Sequence, residues 1–292
     1  MEIVFKFSQK ERAEQFYYTF VYLGQRMSNF YFENKVVWIT GASSGIGEEL
    51  ARQLALQGAS LILSARNQEK LASIKTSLAN HSKHFVLPLD LEKSDEFEVM
   101  AQEIVSRYGR IDVLVNNGGI SQRANAFETS MDVNRKIMEV DFFGNIALTK
   151  AVLQFMQRQK SGQILVISSI AGKFGFFLRS AYSAAKHALH GYYESLSLEE
   201  EHNGISVTIV CPGKINTPIS TNAINADGNR HGIMDHNQKT GMPVEVCVKQ
   251  ILKALQHKKR EVLIGNKEIW AVRIKRFFPG LFWKIIKNQP PT

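Results

Sequence analysis

Lys35-Val36-Val37-Trp38-Ile39-Thr40-Gly41-Ala42-Ser43-Ser44-Gly45-Ile46-Gly47-Glu48-Glu49-Leu50-Ala51-Arg52-Gln53-Leu54-Ala55 is the stretch whose reading decides the fold. Its first six residues are mostly apolar and β-branched, as expected of a strand buried on both faces of a parallel sheet. Its last eight have helical spacing. Between them, Gly41, Gly45 and Gly47 make a turn without Cβ atoms, over which a backbone can approach a pyrophosphate. The following helix N-terminus supplies free N–H groups and a favourable dipole. Strand, glycine turn and helix together predict a dinucleotide cradle formed by Gly41, Ser43, Ser44, Gly45, Ile46 and Gly47.

Ala59-Ser60-Leu61-Ile62-Leu63-Ser64-Ala65-Arg66 reads as the next strand. It ends where such folds recognise the adenosine ribose. An acidic residue there would repel a 2′-phosphate. Ala65 leaves room for one and Arg66 neutralises it, since a guanidinium matches phosphate oxygens. The expected cofactor is NADP(H), although Ser44 adds no second basic charge to the turn. Further strands are read at His84–Asp90, Ile111–Val115, Gln163–Ser169 and Ile205–Val210. Their alternation with helices predicts a Rossmann-like, doubly wound parallel α/β sheet.

Tyr182-Ser183-Ala184-Ala185-Lys186 puts a phenol and an ammonium on one helix face, and Ser169 stands thirteen residues before Tyr182. Together with the glycine turn, this set resembles the short-chain dehydrogenase/reductase family, with its Thr-Gly-x-x-x-Gly-x-Gly turn and Ser, Tyr-x-x-x-Lys active site. The resemblance implies that Tyr182 is the general acid/base, that Ser169 holds the carbonyl oxygen, and that Lys186 favours the phenolate and bonds the nicotinamide ribose. It also implies cofactor contacts from Asp90, from Asn117 and Gly118 of Asn116-Asn117-Gly118-Gly119, and from Pro212, Gly213, Ile215 and Thr217. Gly118 replaces the family's alanine, a change read as loosening the backbone. Asp141, in Val140-Asp141-Phe142-Phe143-Gly144, stands where the family has a fourth catalytic residue, an asparagine. A carboxylate cannot offer an amide N–H, and its charge opposes a phenolate at Tyr182. Two outcomes follow: a modified proton relay, or a cofactor-binding scaffold or sensor with little turnover.

Phe174, Phe176 and Phe177 lie between Ser169 and Tyr182 and are expected to wall the substrate site. Residues 214–243, rich in glycine and polar groups, read as a lid. The lid sequence is similar to the membrane-associated dehydrogenase/reductase branch related to 11β-hydroxysteroid dehydrogenases. That likeness implies a lipophilic ketone, aldehyde or alcohol of steroid, retinoid or lipid type.

One domain over residues 34–266 explains the motifs, with extensions at 1–33 and 267–292. The net charge of +9 is concentrated at the C-terminal end, where residues 253–292 hold ten Lys/Arg against two Glu. There the basic residues alternate with Trp, Phe and Ile, which predicts either a membrane-interface segment or a helix packed on a partner subunit, as in a homodimer, rather than a nucleic-acid surface. Residues 1–33 contain ten aromatics, too few apolar residues in a row to span a bilayer, and no cleavage-site pattern. They read as an anchor or a strap over the fold. Attachment to the endoplasmic reticulum or another membrane is the expectation, with the cytoplasm as the alternative if these segments are not anchors. Cys211 and Cys247 suggest no disulfide or metal site.

Overall fold

The computed structural model describes residues 31–291, so most of the aromatic segment at 1–33 lies outside the described residues. Seven strands form one sheet: β1 (Val36–Thr40), β2 (Ser60–Ser64), β3 (Phe85–Val86), β4 (Val113–Asn116), β5 (Gly162–Ile167), β6 (Ile205–Pro212) and β7 (Glu261–Ile264). Every pairing is parallel, in the order β3-β2-β1-β4-β5-β6-β7. The chain therefore leaves β1 in one direction and returns beyond it at β4, creating a crevice at the carboxyl ends of those two strands.

Helices α1 (Gly45–Leu56), α2 (Gln68–Ser77), α3 (Phe97–Tyr108), α4 (Met131–Met138), α5 (Gly144–Gln159), α6 (Ser180–Glu199), α7 (His236–Lys239) and α8 (Val244–Gln256) connect the strands, and α9 (Trp270–Phe277) and α10 (Pro279–Ile286) follow the last one. Alternation along β1 sorts its side chains between two cores. Val37 and Ile39 pack with Leu50 and Leu54 of α1 and Ile251 and Leu255 of α8. Val36 and Trp38 face the other way, against Phe97 and Ile104 of α3, Leu148 of α5 and Leu189 of α6. Both faces are covered, which is why β1, β4 and β5 are apolar almost without interruption.

Two readings need correction. Only Phe85–Val86 of the expected third strand forms a ladder. The Leu87 and Leu89 amides still donate to the carbonyls of Leu63 and Ala65, so single bonds to β2 continue past the ladder, and the His84 ring bonds the Leu61 amide and the Ala79 carbonyl. At the other end of the domain, Tyr31 and Phe32 belong to the fold rather than to the extension. Phe32 is buried in the core and the Tyr31 hydroxyl donates to Gln163 Oε1 at 3.0 Å. The C-terminal segment also packs on the domain. Phe282 and Ile286 of α10 bury against Phe174, with ring centroids of Phe282 and Phe174 5.2 Å apart. Burying a phenylalanine at such a contact is worth about 3–5 kcal/mol when judged by its removal.

Candidate active site

The glycine turn opens at the carboxyl end of β1 as the sequence requires. Gly41 and Gly45 adopt positive φ of 63° and 56°. A Cβ on Gly47 would lie 2.3 Å from the Gly41 carbonyl, so the turn closes on itself only because no side chain is there. Gly47 thus shapes the cradle without lining it. The Thr40 hydroxyl donates to Val115 O and accepts from the amides of Asn117 and Gly118. Asn117 in turn donates its side-chain amide to the carbonyls of Thr40 and Gly41. A Cβ at Gly118 would meet Leu91 Cδ1 at 2.8 Å.

Around this cradle opens a cavity of about 1250 Å³, larger than a drug-sized pocket and sufficient for a dinucleotide with a second molecule. Arg66, exposed at the end of β2, and Asp90 line it. So do Pro212, Gly213, Ile215 and Thr217 after β6, together with Gly41, Ser43, Ser44, Gly45, Ile46, Asn117 and Gly118. The missing Cβ atoms and free helix N-terminus fit a pyrophosphate, and the exposed guanidinium fits an anionic group beyond it.

Ser169, Tyr182, Lys186 and Asp141 line the same cavity. Ser169 ends β5, where its hydroxyl accepts from the Ala171 amide at 3.1 Å and caps a short helical turn. Tyr182 and Lys186 sit one turn apart on the first half of α6, both buried, with Lys186 Nζ 5.5 Å from the phenol ring centroid. Ser168 turns to the opposite side, toward His190 Nε2 at 3.1 Å.

Asp141 lies on a π-helical turn, Glu139–Phe143, between α4 and α5. Such a bulge re-aims one side chain out of the regular helix register. Its Oδ1 accepts from the Ile120 amide at 2.7 Å, and its Oδ2 faces Lys186 Nζ at 3.3 Å. The ammonium itself donates to Ile167 O at 3.2 Å. Burial pushes the Asp141 carboxyl above the usual carboxylate range, against the pull of Lys186 and the Ile120 amide. Burial opposes the Lys186 charge as well, but Asp141 and Tyr182 outweigh it and hold the ammonium above the ordinary lysine range.

Of the three phenylalanines, the structure brings Phe174 and Phe176 to the cavity and leaves Phe177 outside, half-exposed. Leu178, the next residue, takes a positive φ of 61°. Several lining groups have no local sequence signal. Ala271, Ile274, Phe282 and Ile285 of α9 and α10 roof the cavity, and the buried Arg123, Arg179 and Asp235 form one wall. Glu268 accepts from the Lys214 and Asn266 amides and fills the space beside Gly213, fastening the C-terminal segment to the loop after β6. These residues meet only through the tertiary fold; the aromatic spacing of residues 270–285 was the one clue.

The sequence profile described as short chain dehydrogenase matches residues 35–228. Dehydrogenase/reductase SDR family member 7B of Mus musculus is 40% identical over 268 residues, covering 90% of this chain and 83% of that protein. Dehydrogenase/reductase SDR family protein 7-like of Drosophila melanogaster is 37% identical over 261 residues, covering 87% and 80%. Among solved structures, a short-chain dehydrogenase from Streptomyces avermitilis superposes with a TM-score of 0.75 at 29% identity, covering 87% of this chain and 96% of that one. Levodione reductase gives a TM-score of 0.72 at 25% identity, covering 81% and 98%.

The Asp141–Lys186 pair generates a stability prediction. Lys186→Met strands a buried carboxylate, and removing one partner of such a pair costs about 3–5 kcal/mol. Urea unfolding at neutral pH should show this loss, and adding Asp141→Asn should return much of it. Because burial raises the Asp141 carboxyl, the single variant should regain stability as pH falls and the group takes up its proton. A loss independent of pH, unrelieved by the second substitution, would mean that the two charges are not coupled.

Proposed function

The chain belongs to the short-chain dehydrogenase/reductase family, and from that premise we propose that it is an NADP(H)-dependent oxidoreductase interconverting a lipophilic ketone or aldehyde with its alcohol. The observation that carries the reading is convergence: Ser169, Tyr182 and Lys186 face the same cavity as the glycine turn, although they come from β5 and α6 and the turn from β1. The family uses nicotinamide cofactors, and a bound nicotinamide supplies or accepts the hydride.

The chain's own residues handle the oxygen and its proton. Ser169 orients the substrate oxygen, its hydroxyl held in place by the Ala171 amide. Tyr182 gives a proton to that oxygen in reduction and takes one in oxidation. Lys186, its ammonium kept charged by Asp141, stands beside the Tyr182 ring as a fixed positive charge. Asp141 supports the site by securing that cation. Arg66 at the mouth favours a 2′-phosphate over a free ribose hydroxyl.

The apolar roof supports the lipophilic substrate class, and the outer side of that roof supports membrane association. No described helix is long and apolar enough to cross a membrane. Yet Trp270, Phe277, Phe278, Leu281 and Trp283 are all at least half exposed, among Arg273, Arg276, Lys284 and Lys287. Aromatic side chains interspersed with cations suit the headgroup boundary of an anionic bilayer.

Three outcomes are expected. NADPH oxidation with a panel of hydrophobic carbonyls should be abolished in Tyr182→Phe; activity that survives would sink the mechanism, and no activity in the parent would favour the scaffold reading. Arg66→Asp should invert the preference for NADPH over NADH in binding titrations, whereas unchanged relative affinities would reduce Arg66 to a surface charge. In flotation with anionic liposomes the protein should rise with the vesicles and resist moderate salt, while Phe277→Ser/Phe278→Ser/Trp283→Ser should stay below. If both remain in solution, the exposed aromatics serve another partner.

A further inference from the structure

One wall of the substrate end is charged. Arg123 donates through Nε and Nη2 to Asp235 Oδ2, at 2.8 and 2.6 Å, and Arg179 Nη2 donates to the same oxygen at 2.9 Å. The side chains of Arg123, Arg179 and Asp235 are 3%, 13% and 2% exposed, respectively. Two buried guanidinium groups thus share one carboxylate, which leaves a net positive charge in a site where an unbalanced charge is costly. Burial and the neighbouring Arg123 already lower the Arg179 guanidinium to about 10.

The donors are also under-used. Arg123 spends its remaining bonds on Ser121 Oγ and Gln122 O, and Arg179 on the carbonyls of Phe177 and Pro291. Each guanidinium has five N–H groups, so one on Arg123 and two on Arg179 have no acceptor among the described residues. Asp235 Oδ1 does not balance the second cation either; it is buried without a hydrogen-bond partner among the described residues. The cluster lies beside the reacting end and beside the apolar roof. Arg179 precedes Tyr182 by three residues, its charge interacts with that phenol, and it stacks on the Phe176 ring at 5.5 Å.

We propose that Arg123 and Arg179, held in place by Asp235, recognise an anionic group, a carboxylate or a phosphate monoester, carried close to the carbonyl of an otherwise apolar substrate. The guanidinium fork is shaped for two such oxygens. Asp235 belongs to the loop between β6 and α8, so this recognition also fixes that loop over the cavity. The substrate class rests on the oxidoreductase reading; the anion subsite itself is testable without turnover.

The test uses the full chain loaded with NADPH. In calorimetric titrations, decanoate or decyl phosphate should bind about 10- to 100-fold more tightly than decanol, the gain expected of a charge-assisted pair. Comparison of the first two ligands distinguishes carboxylate from phosphate recognition. Arg123→Gln and Arg179→Gln should erase that advantage, and Arg123→Lys and Arg179→Lys serve as folded controls should either glutamine variant fail to fold. In turnover, the ratio of kcat/KM for γ-oxodecanoate over its methyl ester should fall toward one in the same variants. Equal binding of decanoate, decyl phosphate and decanol to the parent protein would overturn the proposal. Arginine-dependent binding without reduction of any carbonyl would leave the subsite standing and remove the oxidoreductase reading instead.

Discussion

The Thr40 hydroxyl is the point on which the rest of the site depends. It sits at the carboxyl end of β1, donates across the crevice to β4 and accepts two amides from the loop beyond it. A single buried side chain thereby fixes the glycine turn, the Asn117 loop and the spacing between the two strands where the sheet reverses direction. Each hydrogen bond contributes only about 0.5–1.5 kcal/mol net, but leaving buried amides unpaired would cost more. The parallel sheet sets the crevice, and Thr40 keeps its two lips in register.

The residues of the candidate site inherit their positions from this frame. β5 lies next to β4 and delivers Ser169 at its end, while α6 packs on the sheet through Leu189 and Tyr193 and presents Tyr182 and Lys186 inward. Asp141 needs a departure from helical regularity to reach Lys186, and the π-turn between α4 and α5 provides it. A carboxylate in that place makes the buried ammonium an electrostatically paired group instead of an isolated one. The pair ties α6 to the α4–α5 segment.

Legibility followed the range of the interactions. The sheet, the glycine turn and the shared helix face of Tyr182 and Lys186 were readable because local sequence sets strand periodicity, turn chemistry and helical spacing, whereas Ser169 was singled out only by the resemblance to the family's spacing. The third strand is shorter than its apolar run, with a ladder only at Phe85–Val86 and single bonds from the Leu87 and Leu89 amides beyond it. Proximity in sequence to Ser169 and Tyr182 does not reveal that Phe177 lies outside the cavity and exposed. Arg123, Arg179 and Asp235 carry no motif; they meet because three loops converge, the farthest pair 112 positions apart in the chain. The roof at α9 and α10 was visible only as an aromatic, basic composition, which does not reveal that Phe282 faces inward while Phe278 and Trp283 face outward.

Leu91 occupies a slot bounded by two glycines. A Cβ on Gly118 would strike its Cδ1 at 2.8 Å, and one on Gly144 would strike its carbonyl at 2.3 Å. The first obstacle is the tip of a side chain and the second is backbone, so the two positions have unequal freedom to vary. An alanine at 118 becomes admissible once residue 91 is trimmed, whereas 144 stays closed whatever side chain stands at 91. Positions 91 and 118 therefore form a compensating pair, able to drift together through sequence space, and position 144 is an anchor that cannot join them.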